Sequence, residues 1–288
     1  STMPSVKDLE AKVNEQYDTE SSMEFYKHIM GGGGDDIHYG IFNKGDEDLK
    51  TCSQNTIDYM CNLCEKYSGI GKGTGAAFRV LDLGSGKGGA SRHLATKYGC
   101  KVTCFNLGEK QNEYNLAQAK ATGIGELIEC VLASFNEKFP LEDGTFDMIW
   151  SQEAFCHAAD HKHLMNECKR VLKPGGAIIF SDLMGGSGAA DTSSFTDTNA
   201  CAEMATPQVY KDAVAAVGLN MAEMNELTPH LTPYFKLMLE VVKTKRGEME
   251  KAGVDKGRLD SYETDLVTRF GKVENKEFYW GIAAVTKA

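Results

Sequence analysis

The sequence predicts an α/β protein with a mostly parallel sheet and covering helices. From residue 79 onward, short apolar segments alternate with longer segments of helical periodicity. The first apolar segment, Val80–Leu83, runs into a glycine-rich turn that is followed by a helical pattern. With 288 residues, the chain is long enough for one large domain with additions or for two small domains.

Seven strands and the helices between them can be placed from these patterns, with the seventh strand expected to be an antiparallel insertion beside the sixth. The predicted strands are Arg79–Leu83, Lys101–Asn106, Leu127–Leu132, Phe146–Ser151, Ala177–Leu183, Asn220–Leu227 and Phe278–Thr286. The predicted helices between them are Gly89–Tyr98, Lys110–Thr122, Lys162–Val171 and Thr206–Val217.

Other segments lie outside this alternation. Val6–Met30 predicts one or two helices, Thr51–Tyr67 a further helix, and Leu231–Gly271 a charged helical segment. The polar, glycine-rich stretch Gly185–Thr198 is expected to be a mobile loop above the carboxyl edge of the sheet. The expected divisions are a helical lid and linker over residues 1–78, a core over 79–230, a helical cap over 231–272 and the final core strand over 273–288.

Composition narrows the possible partners. A net charge of −10 argues against a nucleic acid or an anionic membrane and favours a small-molecule substrate. The chain shows neither an apolar run of about 18 residues nor a secretory-type leader, so we expect a cytoplasmic protein. Nine cysteines without disulfide-type spacing agree with a reducing compartment. Cys61 and Cys64 form a CxxC pair, but their helical pattern favours buried thiols over a redox or zinc site.

The glycine-rich turn is the predicted cofactor site, and two cofactors fit it. Gly84, Gly86 and Gly89 have the spacing of a dinucleotide-binding loop, which is a weak pattern by itself. Asn106 lies where such a site usually has a ribose-binding acid, which argues against NAD. Asp82, two residues before the first glycine, would suit a cofactor that carries an ammonium group, although it could simply cap the turn.

The segment after the fourth strand contains the candidate proton-transfer groups. Gln152, Glu153 and His157 follow that strand, and a helical turn would place Glu153 and His157 on one face within hydrogen-bonding reach. An oriented histidine is suited to accept a proton near neutral pH, although an ordinary loop histidine fits the pattern too. A metal site is not predicted, despite the clustering of His157, Asp160, His161 and His163.

Three motifs together carry a family resemblance. In order, they are LDLGSGKG, FDMIWSQEAFCHA and RVLKPGGAIIFSDLM. They resemble Rossmann-like small-molecule methyltransferases that use S-adenosylmethionine (SAM), the group with sarcosine/dimethylglycine, phosphoethanolamine, sterol and tocopherol enzymes. The chain is most similar to the sarcosine/dimethylglycine N-methyltransferases. The resemblance implies a seven-stranded, mostly parallel Rossmann-like sheet with N-terminal helices and a helical cap inserted before the last strand.

The resemblance also implies roles for individual residues. Glu153 and His157 would form a catalytic dyad, with Glu153 in place of the aspartate of the phosphoethanolamine enzymes, and Tyr26 would close over the ligands. Tyr26 could instead be an ordinary core aromatic residue. The residues expected to bind SAM are His38, Tyr39, Asp82, Gly84, Ser85, Gly86, Asn106, Leu107, Gln111, Ala133, Ser134 and Gln152.

The expected activity is SAM-dependent methylation of sarcosine, dimethylglycine or both, towards glycine betaine. The expected partner is thus a small amine or amino acid, with no nucleic acid, membrane or metal, and a homodimer is allowed. Phosphoethanolamine N-methylation, tocopherol- or sterol-type C-methylation and non-catalytic SAM binding remain alternatives. A substrate carboxylate needs a cationic or hydroxyl partner, preferably an arginine. The sequence does not choose among the arginines and aromatic residues of this region, which are Arg246, Arg258, Arg269, Tyr234, Tyr262, Tyr279 and Trp280.

Overall fold

A computed structural model describes residues 5–30, 34–71, 73–188 and 204–288. A seven-stranded sheet with the order β3-β2-β1-β4-β5-β7-β6 forms the centre. Its strands are β1 Arg79–Leu83, β2 Lys101–Asn106, β3 Ile128–Leu132, β4 Phe146–Gln152, β5 Leu172–Gly185, β6 Asn220–Glu226 and β7 Phe278–Thr286. All neighbouring strands are parallel except β7, which runs antiparallel to both β5 and β6. The predicted fold class and the antiparallel position of the last strand are confirmed.

The described residues contain nine α-helices around the sheet. They are α1 Val6–Tyr17, α2 Glu20–Ile29, α3 Leu49–Ser68, α4 Gly89–Tyr98, α5 Glu109–Ala121, α6 His161–Val171, α7 Pro207–Ala216, α8 Leu231–Lys251 and α9 Lys256–Glu274. Within the described ranges, no helix combines the length and apolar character that crossing a membrane requires. All eight cysteines in this part of the chain are free thiols, and Cys61 and Cys64 are buried in α3.

The structure fixes two helix counts that the sequence left open and moves the start of one strand. The N-terminal segment, expected to form one or two helices, forms two, because the Thr19 side chain caps α2 by accepting from the Ser22 amide. β5 begins at Leu172 rather than Ala177, because Leu172 already pairs with Phe146 before the irregular stretch that contains Pro174. The charged segment forms two helices, since Asp255 caps a second one. The predicted loop Gly185–Thr198 lies mostly outside the described residues.

Two apolar cores lie on opposite faces of the sheet. One joins α3, α4 and α8 to side chains such as Val80, Trp150 and Trp280, all fully buried. The other packs α6 and α7 against alternate positions such as Leu81 and Phe180. The alternation along each strand sends successive side chains to opposite faces, so both faces of the central strands are covered.

Polar contacts hold the N-terminal helices beside the carboxyl edge of the sheet. The guanidinium of Arg258 in α9 donates to the Ser22 hydroxyl at 2.6 Å and to the Gln16 carbonyl at 2.9 Å. Asp18, just after α1, accepts from the backbone amide of Gln111 in α5 at 2.9 Å. These contacts position α1 and α2 as a wall facing the strand ends.

Candidate cofactor and substrate site

A large cavity lies between the carboxyl ends of the central strands and helices α1, α2 and α9. Its wall on the sheet side includes Gly84 after β1, Leu107 after β2 and Ala133 after β3. Tyr26 and Tyr262 contribute from α2 and α9. Open α/β sheets bind ligands at this edge, because the loops after parallel strands meet there.

The glycine-rich turn forms the floor where this cavity meets a smaller adjoining one. Gly84 has φ +76°, and a Cβ on it would lie 2.3 Å from the Ala154 Cβ. Gly86, with φ +52°, has open space where its side chain would be, and it lines both cavities. The glycines therefore let the backbone turn tightly and leave room for a ligand against it.

Asp82 lies at the end of β1 and lines the smaller cavity with His38, Ser85 and Gln152. Its carboxylate accepts a hydrogen bond from the hydroxyl of Ser91 in α4. Burial raises the pKa of Asp82 to about 7, although Ser91 lowers it in part. An ammonium group bound nearby would stabilise the ionised carboxylate, so this end of the cavity suits the amino-acid part of SAM. The hydrogen bond between Asp82 and Ser91 connects β1 to the first turn of α4, whose N-cap residue Gly88 has no side-chain cap.

The opposite end of the cavity suits a nucleoside. The Asn106 side-chain amide donates to Gln111 Oε1 at 3.0 Å, and Gln111 Nε2 donates to the Tyr17 carbonyl at 3.2 Å. Both side chains line the cavity together with Leu107, Ala133 and Phe135.

Ser134 differs from its expected placement. It is not among the residues that line the two cavities, and its hydroxyl instead donates to Glu10 of α1. The same hydroxyl accepts from the Asn136 amide at 3.0 Å. Ser134 therefore fixes the wall behind the nucleoside end.

Glu153 follows β4 and points back into the sheet. Its backbone has φ +49°, and its Oε1 accepts from the Ser181 hydroxyl and the Trp280 indole, both at 2.9 Å. Its Oε2 is buried without a hydrogen-bond partner, and the residue lines the cavity. The expected Glu153–His157 hydrogen bond is thus not formed, because the left-handed backbone at Glu153 replaces the continuous helical turn that would have aligned the pair.

His157 ends a single 3-10 turn and lines the same cavity. Its ring lies edge-on to Tyr17, with ring centres 5.7 Å apart. Tyr17 in turn stacks on Tyr26 at 5.2 Å, and the Tyr26 hydroxyl accepts from the Gln16 side chain at 3.1 Å. The structure therefore brings the three proposed catalytic side chains to one cavity, with Tyr17 between His157 and Tyr26.

Burial raises the pKa values of two neighbouring carboxyl groups towards the neutral range. Burial and the nearby Asp182 raise the pKa of Glu153 to about 8. Burial also raises the pKa of Asp182 to about 7, and Asp182 accepts from the Tyr210 hydroxyl at 2.5 Å. A cationic ligand beside Glu153 would favour its ionised form, so the site is suited to hold or move a proton when an amine binds.

The raised pKa of Glu153 should make the folded protein less stable as the pH rises towards 8. Between the ordinary Glu153 pKa of 4.5 and the folded value of about 8, the folded protein keeps a proton that the unfolded chain has lost. For one such group, each pH unit between these two values lowers the free energy of unfolding by about 1.4 kcal/mol. We expect Glu153→Gln to reduce the loss of Tm between pH 6 and pH 8 in thermal unfolding.

Glu167→Gln is the matched control for this experiment. The hydrogen bond from Arg170 lowers the pKa of Glu167. The contribution of Glu167 to the free energy of unfolding is therefore complete above the ordinary pKa of a glutamate and is lost only as the pH falls below it. The pH 6 to 8 slope should be unchanged in this variant. An unchanged slope in Glu153→Gln would contradict the assignment of a buried, protonated Glu153.

Asp35 organises a part of the site that sequence reasoning missed. Its carboxylate accepts from Lys87 Nζ at 3.2 Å, from Arg92 and from the Tyr114 hydroxyl at 2.9 Å. These contacts tie the chain around His38 to the glycine-rich turn and α5. Asp35 follows a glycine run in the sequence, and its partners Lys87, Arg92 and Tyr114 lie more than 50 residues later in the chain. No local sequence pattern around Asp35 indicates these contacts.

The buried polar atoms test whether SAM fits this site. Among the described residues, Ser85 Oγ, Gln152 Nε2 and Glu153 Oε2 are buried without hydrogen-bond partners, and all three residues line the cavities. Buried polar groups normally have partners, so such atoms indicate places for polar ligand groups. The glycine turn, Asp82 and the nucleoside end supply the rest of a surface that fits SAM.

The comparisons with known proteins agree with this geometry. Residues 81–180 match the family described as methyltransferase domain. The chain is 36% identical over 235 residues to a glycine/sarcosine/dimethylglycine N-methyltransferase of Actinopolyspora halophila, covering 81% of this chain but only 40% of that protein. It is 34% identical to the sarcosine/dimethylglycine N-methyltransferase of Halorhodospira halochloris, with 81% of each chain covered.

A solved structure shows the same architecture. It is that of a Galdieria sulphuraria protein assigned as a sarcosine dimethylglycine methyltransferase, with a TM-score of 0.82 and 26% identity over 94% of this chain and 99% of that one. The fold, the cofactor site and the shared sequence lead to the same conclusion. The chain belongs to the SAM-dependent methyltransferases, in the family of the sarcosine/dimethylglycine N-methyltransferases.

Proposed function

We propose that this enzyme methylates the nitrogen of sarcosine, dimethylglycine or both, towards glycine betaine. The observation that carries the proposal is the buried Glu153 Oε2, which has no hydrogen-bond partner in a cavity also lined by Tyr17 and Tyr26. A buried carboxyl group beside aromatic rings suits a small cationic amine, since it supplies both charge compensation and an apolar surface. The cofactor site adjoins this surface.

Proton removal is the first task of the protein side chains, because these amines are mostly protonated in water. His157 is the proposed base, and Glu153 stabilises the positive charge of the bound amine before its proton leaves. When bound, SAM would supply an electrophilic sulfonium methyl group for the amine lone pair, with the thioether as leaving group, and the cavity residues would hold the two reactants close together. Tyr26 helps to exclude water from the amine.

The aromatic wall also suits the product. Methylation of dimethylglycine gives a quaternary ammonium, which cannot donate a hydrogen bond but is attracted to aromatic faces. Tyr17, Tyr26 and Tyr39 all line the cavity. These rings can hold the substrate and the product without a hydrogen bond to nitrogen.

The related activities place different demands on the same cavity. Phosphate groups in phosphoethanolamine favour several basic side chains, whereas Arg269 is the one lysine or arginine lining the main cavity within the described residues. A prenylated C-methylation substrate would need a long apolar channel, while Glu153 and Arg269 bring two ionisable groups into the lining of this cavity. A non-catalytic SAM-binding protein would not need His157 and Glu153 beside the cofactor site.

Transfer of radiolabelled methyl groups from SAM tests the proposal. The acceptor panel contains glycine, sarcosine, dimethylglycine and phosphoethanolamine, with product identity checked by mass spectrometry. We expect label in sarcosine, dimethylglycine or both. Turnover of phosphoethanolamine without turnover of either amino acid would overturn the proposed substrate class.

A further inference from the structure

The three arginines of the helical segment have different surroundings. Arg246 is partly exposed and forms ion pairs with Asp260 at 2.7 Å and Glu263 at 3.3 Å. Arg258 holds the N-terminal helices through the contacts described above. Arg269 is only 2% exposed and lines the main cavity. Of these three, Arg269 alone presents its surface to the ligand cavity.

The surroundings of Arg269 keep its guanidinium charged and fixed. Its Nε donates to Asp265 at 2.7 Å, and a terminal nitrogen donates to the Tyr39 hydroxyl at 3.3 Å. Burial alone would lower the pKa of Arg269, but Tyr39 and Asp265 outweigh it and raise the pKa above its ordinary value. Its guanidinium lies 6.0 Å from the ring centre of Tyr262. A buried cation in such a pocket is suited to a planar anion.

Tyr39 connects Arg269 to the proposed amine site. The Tyr39 ring packs edge-on against Trp280, with ring centres 5.8 Å apart, and the Trp280 indole donates to Glu153. Both Arg269 and Glu153 act electrostatically on the Tyr39 hydroxyl. Arg269, Tyr39 and Glu153 all line the cavity, and we call this part of it the acceptor half. Tyr39 thus links a guanidinium, through its hydroxyl, to a carboxyl group, through Trp280. This arrangement is complementary to a zwitterion, with a carboxylate and an ammonium close together.

We infer that Arg269, supported by the Tyr39 hydroxyl, receives the carboxylate of the methyl acceptor and selects amino acids over amines without a carboxylate. The inference rests on the proposed function, because it identifies how that substrate class is recognised. An arginine that only fixed α9 to the chain around Tyr39 would be equally buried. Such a structural residue would not distinguish between acceptors that differ only in the carboxylate.

Kinetics on paired acceptors test this selection. Dimethylglycine is compared with N,N-dimethylethanolamine, which keeps the amine and replaces the carboxylate group by a hydroxymethyl group. In the wild type we expect a strong preference for dimethylglycine. Arg269→Gln should raise KM for dimethylglycine about 100-fold or more, as expected for loss of a buried charged hydrogen bond. Its kcat/KM for dimethylethanolamine and its Kd for SAM should stay within about threefold of the wild type.

Further variants separate recognition from folding. Arg269→Gln leaves Asp265 as an uncompensated carboxylate, so the double variant Arg269→Gln/Asp265→Asn removes both charges together. Arg269→Lys keeps the charge without the planar fork and should recover part of the loss. Arg246→Gln is the matched control in the same helical pair, and its acceptor preference should equal that of the wild type.

Each outcome decides the inference. An unchanged KM for dimethylglycine in Arg269→Gln, or an equal loss with both acceptors, would overturn it while leaving the proposed N-methylation intact. Loss of SAM binding in all three Arg269 variants would also overturn it, since a residue of the acceptor half should not be needed for the cofactor. Failure of the wild type to methylate either sarcosine or dimethylglycine would instead overturn the proposed function.

Discussion

His157→Ala is expected to lower kcat by about 10²- to 10⁴-fold, the usual contribution of a general base. The Kd for SAM, measured by calorimetry, should change little, because the proposed role of His157 is to accept the proton of the methyl acceptor. The loss should lessen as pH rises, since a larger fraction of the free amine is then already neutral. Steady-state kinetics with dimethylglycine between pH 6 and pH 9 measure both effects.

His163→Ala provides the matched control for this variant. His163 lies in the adjoining helix α6, and its Nε2 is 3.1 Å from the Glu137 carbonyl. It does not line the cavity, so its replacement should leave turnover unchanged. Wild-type turnover in His157→Ala would refute a catalytic role for His157. A parallel loss of SAM affinity would assign His157 to the cofactor instead.

Gly84→Val should abolish measurable SAM binding. The backbone at Gly84 has a positive φ, and an added Cβ would overlap the Ala154 Cβ at 2.3 Å. Backbone strain and overpacking each cost about 1–3 kcal/mol, so the turn must shift. The resulting loss of affinity should be at least about 30-fold. Calorimetric titration of SAM measures it, with circular dichroism confirming that the chain remains folded.

Gly144→Val separates strain from blockage of the cavity. Gly144 also has a positive φ, of +59°, but an added Cβ meets no atom within 4 Å. It precedes β4 at the edge of the sheet opposite the cavity, so the variant should lose stability but bind SAM normally. Normal SAM binding by a folded Gly84→Val protein would mean that the cofactor occupies another place.

Much of the fold could be predicted from the sequence, because apolar segments and turn residues are local patterns. Apolar segments bounded by turns located all seven strands to within a few residues at most ends. The glycine turn was visible for the same reason, since Gly84 and Gly86 are required by the backbone conformation at their own positions. The start of β5 was missed because Pro174 and its neighbouring glycines indicate a turn, whereas pairing with β4 extends the strand across them.

The hydrogen-bond partners of the site residues could not be predicted from the local sequence pattern. Glu153 was expected to pair with His157, but its hydrogen bonds go to Ser181 and Trp280, which are 28 and 127 residues away in the chain. Trp280 reaches Glu153 because β7 inserts antiparallel beside β5. The pattern around residue 153 contains no information about that insertion.

The sequence by itself determined the fold class, the position of the glycine-rich turn and the set of candidate site residues. Only the tertiary structure decided which arginine lines the cavity and which groups flank Tyr39. Arg246, Arg258 and Arg269 occupy similar helical patterns, and their burial depends on how α8 and α9 pack against the sheet and the N-terminal helices. The apolar periodicity of a helix predicts which of its faces is buried. It does not predict which distant segment packs against that face.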